Sequence, residues 1–267
     1  MALKQRLITA AVAIPLLILF LLFTDRFWLA AVVCLANLIG LHEYAGMAFP
    51  VENTLGKWML LVSGGLLLPL WLGYGEPWLV GGLMLVVIGQ ALLVLARPGE
   101  LPQTVARLST ALFGVLYVTV LLSSIVFLFD QPEGRKWLFT VLMVVMGADS
   151  AAFFVGRSFG RTPLYALISP NKSREGAVGG LAGSLLAACL ARILFFDEIG
   201  WGALLASALL MSLLGQLGDL VESMLKRSFG VKDSGNLLPG HGGILDRLDS
   251  LLFAFPTALL CAVLAGA

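Results

Sequence analysis

Apolar runs of roughly 17–22 residues recur from one end of this 267-residue chain to the other, each long enough to cross a hydrocarbon core of about 30 Å as a helix. A hydrophobic fraction of 59% against 12% charged residues, with mean hydropathy +0.97, excludes an ordinary soluble globular domain. The runs predict an all-α polytopic membrane protein with about nine transmembrane helices: Leu7–Phe23, Phe27–Phe49, Trp58–Leu72, Trp78–Leu95, Leu108–Phe129, Trp137–Phe154, Val178–Phe195, Trp201–Leu220 and Leu251–Ala267. All six tryptophans fall near the ends of these runs, where amphipathic rings favour the membrane interface. Leu7–Phe23 follows the basic stretch MALKQR as a signal peptide would, but no small-x-small cleavage site precedes Asp25, so the run reads as a retained first span.

The net charge of +1 is uninformative until the charges are sorted by loop. With the N-terminus cytoplasmic and the spans alternating, 13 of the 17 lysines and arginines fall inside, leaving Arg26, Arg135, Lys136 and Arg192 at the outer side. Two long polar segments, 156–176 and 223–249, then face the cytoplasm. This predicts an N-terminal scaffold (1–136), serving lipid access or dimerisation, and a C-terminal catalytic region (137–267) carrying both loops. Cys34, Cys189 and Cys261 lie far apart inside apolar runs, which predicts free thiols rather than a metal site. Gly176, Gly179, Gly180 and Gly183 make two overlapping GxxxG spacings, suited to close helix packing or to a homodimer face.

Carboxylates at membrane depth are costly and tend to be functional. Asp149 sits at the inner end of the sixth predicted span, Asp219 and Glu222 at that of the eighth, and Asp246 and Asp249 open the ninth; His42 and Glu43 end the second. Asp219, Glu222, Ser223 and Lys226 share one helix face, and Asp246 and Asp249 share another. Two such faces side by side suit a divalent cation with all-oxygen ligands, Mg²⁺ rather than zinc; the simpler alternative is ion pairing of Asp219 with Lys226 or Arg227 and of Asp246 with Arg247. The basic, glycine-rich segment between the faces favours the cation, because Mg²⁺, lysines, arginines and approachable backbone N–H groups together are what a nucleoside triphosphate requires. Gly156–Thr162 is one residue short of a Walker A loop and has arginine where the lysine belongs. His241 suits a general base or a phosphate ligand, and equally a hydrogen-bonding loop residue.

At these residues the chain resembles a known family. The 27 residues from Ser223, through Lys226-Arg227, Lys232-Asp233, Gly235, Leu238-Pro239 and His241-Gly242-Gly243-Ile244, to Asp246-Arg247-Leu248-Asp249, look like the signature of the phosphatidate cytidylyltransferases, or CDP-diacylglycerol synthases. Asp149–Gly160 and Ser169–Gly176 are similar to the family's second common region, with Ala148-Asp149-Ser150 replacing the family's Asn-Asp-Thr and Asn171-Lys172-Ser173 its Lys-Lys-Thr. The resemblance implies a nucleotidyltransferase of phospholipid biosynthesis: CTP and phosphatidate give CDP-diacylglycerol and pyrophosphate, with Mg²⁺ as cofactor. It implies a multi-pass protein of the bacterial cytoplasmic membrane and no nucleic-acid partner. By resemblance, Asp219, Asp246 and Asp149 are assigned to the metal. Lys226, Arg227, Lys232, Arg247 and Asp249 are assigned to catalysis. Lys172, Arg174, Ser223, His241, Gly242 and Gly243 are assigned to substrate. The alternatives are a cytidylyltransferase for another lipid phosphate and, in a different class, an ion-coupled transporter; against the latter, the acidic residues cluster at one face.

Overall fold

The computed structural model describes residues 15–49, 54–97, 101–235 and 242–266, the side chains of residues 76 and 77 apart. It is a helical bundle with one small hairpin. Helix α1 is described over residues 15–23. There follow α2 (Arg26–Ala48), α3 (Thr54–Tyr74), α4 (Glu76–Ala96), α5 (Leu101–Gly114), a π-helical segment (Val115–Val120), α6 (Leu121–Phe129) and α7 (Gly134–Phe159). Strands β1 (Pro163–Tyr165) and β2 (Ser169–Ser173) pair antiparallel, and α8 (Arg174–Leu194), α9 (Trp201–Ser228), α10 (Leu245–Leu248) and α11 (Leu251–Gly266) complete the chain.

Seven of these helices, with α5, the π segment and α6 counted as one continuous rod, are long and apolar enough to cross a membrane. The protein is therefore a polytopic membrane protein. α11 is a shorter apolar helix of 16 residues, and the first expected span lies partly outside the described residues. The boundaries differ from expectation where polar residues extend a helix past its hydrocarbon run. α9 continues to Ser228 instead of stopping at Leu220, and α7 runs on to Phe159. Lys226 and Arg227 are thus helical residues. The segment expected as a loop over 156–176 folds into the β1–β2 hairpin and the start of α8. There the Glu175 carboxylate accepts from Arg161 N, Thr162 N and Thr162 Oγ1, tying the hairpin to the first turn of α8.

Large apolar side chains lie on both sides of the bundle wall, as lipid requires. Leu41, Leu60, Leu68, Val118, Val141 and Met211 are buried between helices, while Leu85, Leu95, Leu186, Ile193 and Leu264 are exposed. Charged groups gather at two ends. At one end Arg26 pairs with Asp130 at 2.9 Å and donates to Leu72 O, Arg135 donates to Thr24 O, and Lys136 pairs with Glu198. The other end carries the hairpin, the end of α9 and α10.

The glycine stripe of α8 faces α7 of the same chain, which is the close-packing reading of its GxxxG spacings. A Cβ on Gly183 would meet Ala151 Cβ at 2.5 Å and Gly147 O at 2.6 Å, and one on Gly179 would meet Val155 at 2.6 Å. Because backbone and a stub side chain block the site, Gly183→Leu is expected to lower stability by at least the roughly 1–3 kcal/mol typical of overpacking, with Gly183→Ala smaller in the same direction. Thermal unfolding in detergent measures this, and an unchanged midpoint would refute the contact. The three cysteines are free, as expected, and half-buried.

Candidate active site

Three regions meet at the hairpin end: the last turns of α9, Ser234 and Gly235 with the stretch 242–250, and the end of α7 with β2. α9 presents Asp219, Glu222 and Lys226 along one face, as their spacing predicts. α11 comes close to that face because Gly218 has no side chain: a Cβ there would meet Asp249 O at 2.8 Å and the Phe253 ring at 3.0 Å. The approach sets Asp249 beside α9, so that ligand oxygens of Asp219, Glu222 and Asp249 all lie within 4.8 Å of one another.

Three carboxylates this close, largely withdrawn from water, repel one another and demand compensation. Two lysines supply part of it. Lys172 of β2 forms an ion pair with Asp219. Lys226 bridges Glu222 Oε2 at 2.8 Å and Asp246 Oδ1 at 2.6 Å, with the Glu222 side chain only 1% exposed. Glu222 Oε1 is buried without a hydrogen-bond partner among the described residues. An unpaired buried carboxylate oxygen beside two further carboxylates is a fit for a hard divalent cation, and the all-oxygen donor set matches Mg²⁺. Burial, followed by repulsion from Asp219, Glu222 and Asp149, raises the Asp249 carboxyl above the ordinary aspartate range, although Ser250 N donates to it at 2.6 Å.

The sequence-level metal set is divided by this geometry. Asp219 belongs to the trio, whereas Asp246 stands outside it. Its Oδ2 accepts from Ser234 N at 2.9 Å, Ser234 Oγ at 2.9 Å and Gly243 N at 2.8 Å, and its Oδ1 takes Lys226. Burial works to raise the Asp246 carboxyl, but these bonds outweigh it and hold the group below the ordinary range. The two residues part by their partners: Asp246 is taken up by Lys226, Ser234 and Gly243, while Asp249 lies against α9. Asp149 is exposed to a cavity that it shares with Asp219. Glu222, read from sequence as part of the acidic face but not among the residues assigned to the metal, completes the trio.

The remaining assignments spread out. Arg227, Lys232, Arg174 and Arg247 are exposed, and Arg227 donates to Val231 O at 3.2 Å. Ser223 is half-buried. Gly242 adopts φ +76°, a conformation suited to glycine, and Gly243 gives its N–H to Asp246. His241 lies outside the described residues.

Two cavities flank the acidic centre. One of about 390 Å³ is lined by Asp149, Arg157, Asn171, Lys172, Gln216 and Asp219, among others. The other, of about 270 Å³, is mainly apolar, with Leu17, Leu142, Met146 and Leu251 leading to Arg247 and Asp249. Asp149 lines both.

Comparison with known proteins agrees with this picture. The chain is 50% identical over 123 residues to the phosphatidate cytidylyltransferase of Bacillus subtilis, a stretch covering 46% of each protein. It is 48% identical over 126 residues to that of Staphylococcus saprophyticus, covering 47% of this chain and 48% of the relative. With the Staphylococcus haemolyticus enzyme it shares 44% identity over 148 residues, 54% of this chain and 55% of the relative. The matched stretches thus span about half the length of these relatives. The profile of the cytidylyltransferase family, in contrast, matches residues 4–264, and the chain belongs to that family.

Proposed function

We propose that this protein transfers the cytidylyl group of CTP to phosphatidate, giving CDP-diacylglycerol and pyrophosphate. The observation that carries the reading is a carboxylate centre flanked by a polar cavity on one side and an apolar one on the other. A soluble triphosphate and a membrane lipid need that pair of approaches. Relatives bearing this name support it.

Asp219, Glu222 and Asp249 would hold Mg²⁺, which, when bound, offsets charge on the triphosphate and on the departing pyrophosphate. The polar cavity takes CTP, with Lys172 and Arg157 facing its phosphates. The apolar cavity takes an acyl chain of phosphatidate, with Arg247 placing the headgroup. An ionised phosphate oxygen of phosphatidate attacks the α-phosphorus of CTP, a new P–O bond forms, and the bond to the β-phosphate bridging oxygen breaks. The nucleophile is already an anion at neutral pH, so no strong base is needed. The chain's task is to bring two polyanions together and neutralise them. Lys226, held between Glu222 and Asp246, supports the carboxylates and is not free for phosphate. The hairpin end faces the cytoplasm of a bacterial cell, where CTP is available.

Purified protein with radiolabelled CTP, phosphatidate vesicles and Mg²⁺ is expected to yield lipid-soluble label. No labelled lipid would overturn the reading, and label on other lipid phosphates but not on phosphatidate would replace the acceptor.

A further inference from the structure

The acidic centre is held from an unexpected direction. Glu43 of α2, about two hundred residues upstream of the signature segment, is 6% exposed, and both its carboxylate oxygens are engaged there. Oε1 accepts from Ile244 N at 2.8 Å; Oε2 accepts from Leu245 N at 2.9 Å and lies 3.2 Å from Ser234 Oγ. The single Ser234 hydroxyl proton goes to the nearer Asp246 Oδ2 at 2.9 Å. Asp246 holds Lys226, and Lys226 holds Glu222. The chain of contacts therefore runs from α2 through Ser234, Asp246 and Lys226 to a member of the carboxylate trio.

The segment is shaped around this carboxylate. A Cβ on Gly235 would lie 2.9 Å from Glu43 Oε1, and one on Gly243 would lie 2.5 Å from Glu43 Oε2. Two glycines of the signature are thereby accounted for by the passage of Glu43 between them. A charged acceptor buried on two consecutive amides fixes the turn that carries Asp246 and delivers Asp249 to α9.

We infer that Glu43 is a positioning residue for the metal-holding carboxylates, setting Asp249 and Glu222 through the Ser234–Asp246–Lys226 chain. The inference rests on the proposed function only in giving the cation a role. Glu43 touches no substrate, and its action is through Ile244, Leu245 and Ser234.

The test uses the full-length protein in detergent with Glu43→Gln, which keeps the shape but presents an N–H₂ to groups that donate. Affinity for Mn²⁺, read by electron paramagnetic resonance without turnover, is expected to fall roughly 10–100-fold, as for other residues that orient metal ligands. Amide exchange at Ile244 and Leu245 should quicken by about ten-fold with loss of the charge-assisted bonds. Ser234→Ala, which removes the hydroxyl's contacts with Glu43 and Asp246 but no charge, should shift Mn²⁺ affinity in the same direction by less. A drop in thermal stability with Mn²⁺ affinity unchanged in these variants would overturn the inference, leaving Glu43 a packing residue only. Should Glu43→Gln fail to fold, Glu43→Asp, whose carboxylate recedes by one methylene, is read by the same criteria. If the wild-type protein makes no labelled lipid, the proposed function falls, while Mn²⁺ affinity and amide exchange still decide the role of Glu43.

Discussion

Asp219→Asn and Asp249→Asn are each expected to cut the proposed CDP-diacylglycerol synthesis sharply while leaving the protein folded. Each change removes one of three carboxylates whose oxygens lie within 4.8 Å of one another. A divalent ion contributes several kcal/mol of charge stabilisation to phosphoryl transfer, so turnover should fall on the order of 10³-fold. Stability should respond in the opposite sense. Asp249 is buried and repelled by Asp219 and Glu222, so in metal-free protein the asparagine relieves repulsion, and the unfolding temperature holds or rises. Mg²⁺ should raise the unfolding temperature of the wild type by mass action and do so far less in either variant. Asp246→Asn is the contrasting case. It breaks bonds to Lys226, Ser234 and Gly243, so it should lower stability and weaken Mn²⁺ binding without abolishing it. Equal loss of Mn²⁺ binding in all three would place Asp246 among the ligands and refute the division that the geometry supports.

The legible parts of this fold are those set by local composition. A hydrocarbon run such as Trp58–Leu72 announces a span whatever surrounds it, and it lies within α3. The i, i+3, i+7 spacing of Asp219, Glu222 and Lys226 needs only a helix to become a face. What stayed hidden depends on contacts between distant residues. Hydropathy ends the eighth predicted span at Leu220, whereas α9 runs on to Ser228. Asp246 and Asp249 are spaced as a helical pair, but Asp246 is drawn to Lys226, Ser234 and Gly243 while Asp249 lies against α9. Glu43 carries no mark in sequence beyond being a carboxylate at the end of an apolar run; its partners lie at Ile244 and Leu245. The expected division into an N-terminal scaffold and a C-terminal catalytic region omits that link. The π-helical segment Val115–Val120, which makes one rod of Leu101–Phe129, likewise has no signature in an unbroken apolar run.

Lys226→Met is expected to be the most destabilising single change at this end of the molecule. The ammonium lies between two carboxylates, with Glu222, Asp246 and Lys226 side chains 1%, 8% and 13% exposed. Removing one partner of a buried ionic group costs about 3–5 kcal/mol, because the charge left behind is neither hydrated nor paired. Here one substitution strands two. Glu222 already keeps Oε1 unpartnered among the described residues, and without Lys226 it would lose the partner of Oε2 as well. Asp246 retains Ser234 and Gly243, so the larger penalty falls on Glu222. The double variant Glu222→Gln/Lys226→Met separates charge from packing. If stranded charge is the cause, the second substitution restores much of the lost unfolding temperature; if the lysine's stem is the cause, it restores none. Neither variant should recover synthesis, since the double variant also lacks an oxygen of the carboxylate trio. A Lys226→Met protein that unfolds at the wild-type temperature would show that the bridge contributes nothing, and that Asp246 and Glu222 are placed by the backbone alone.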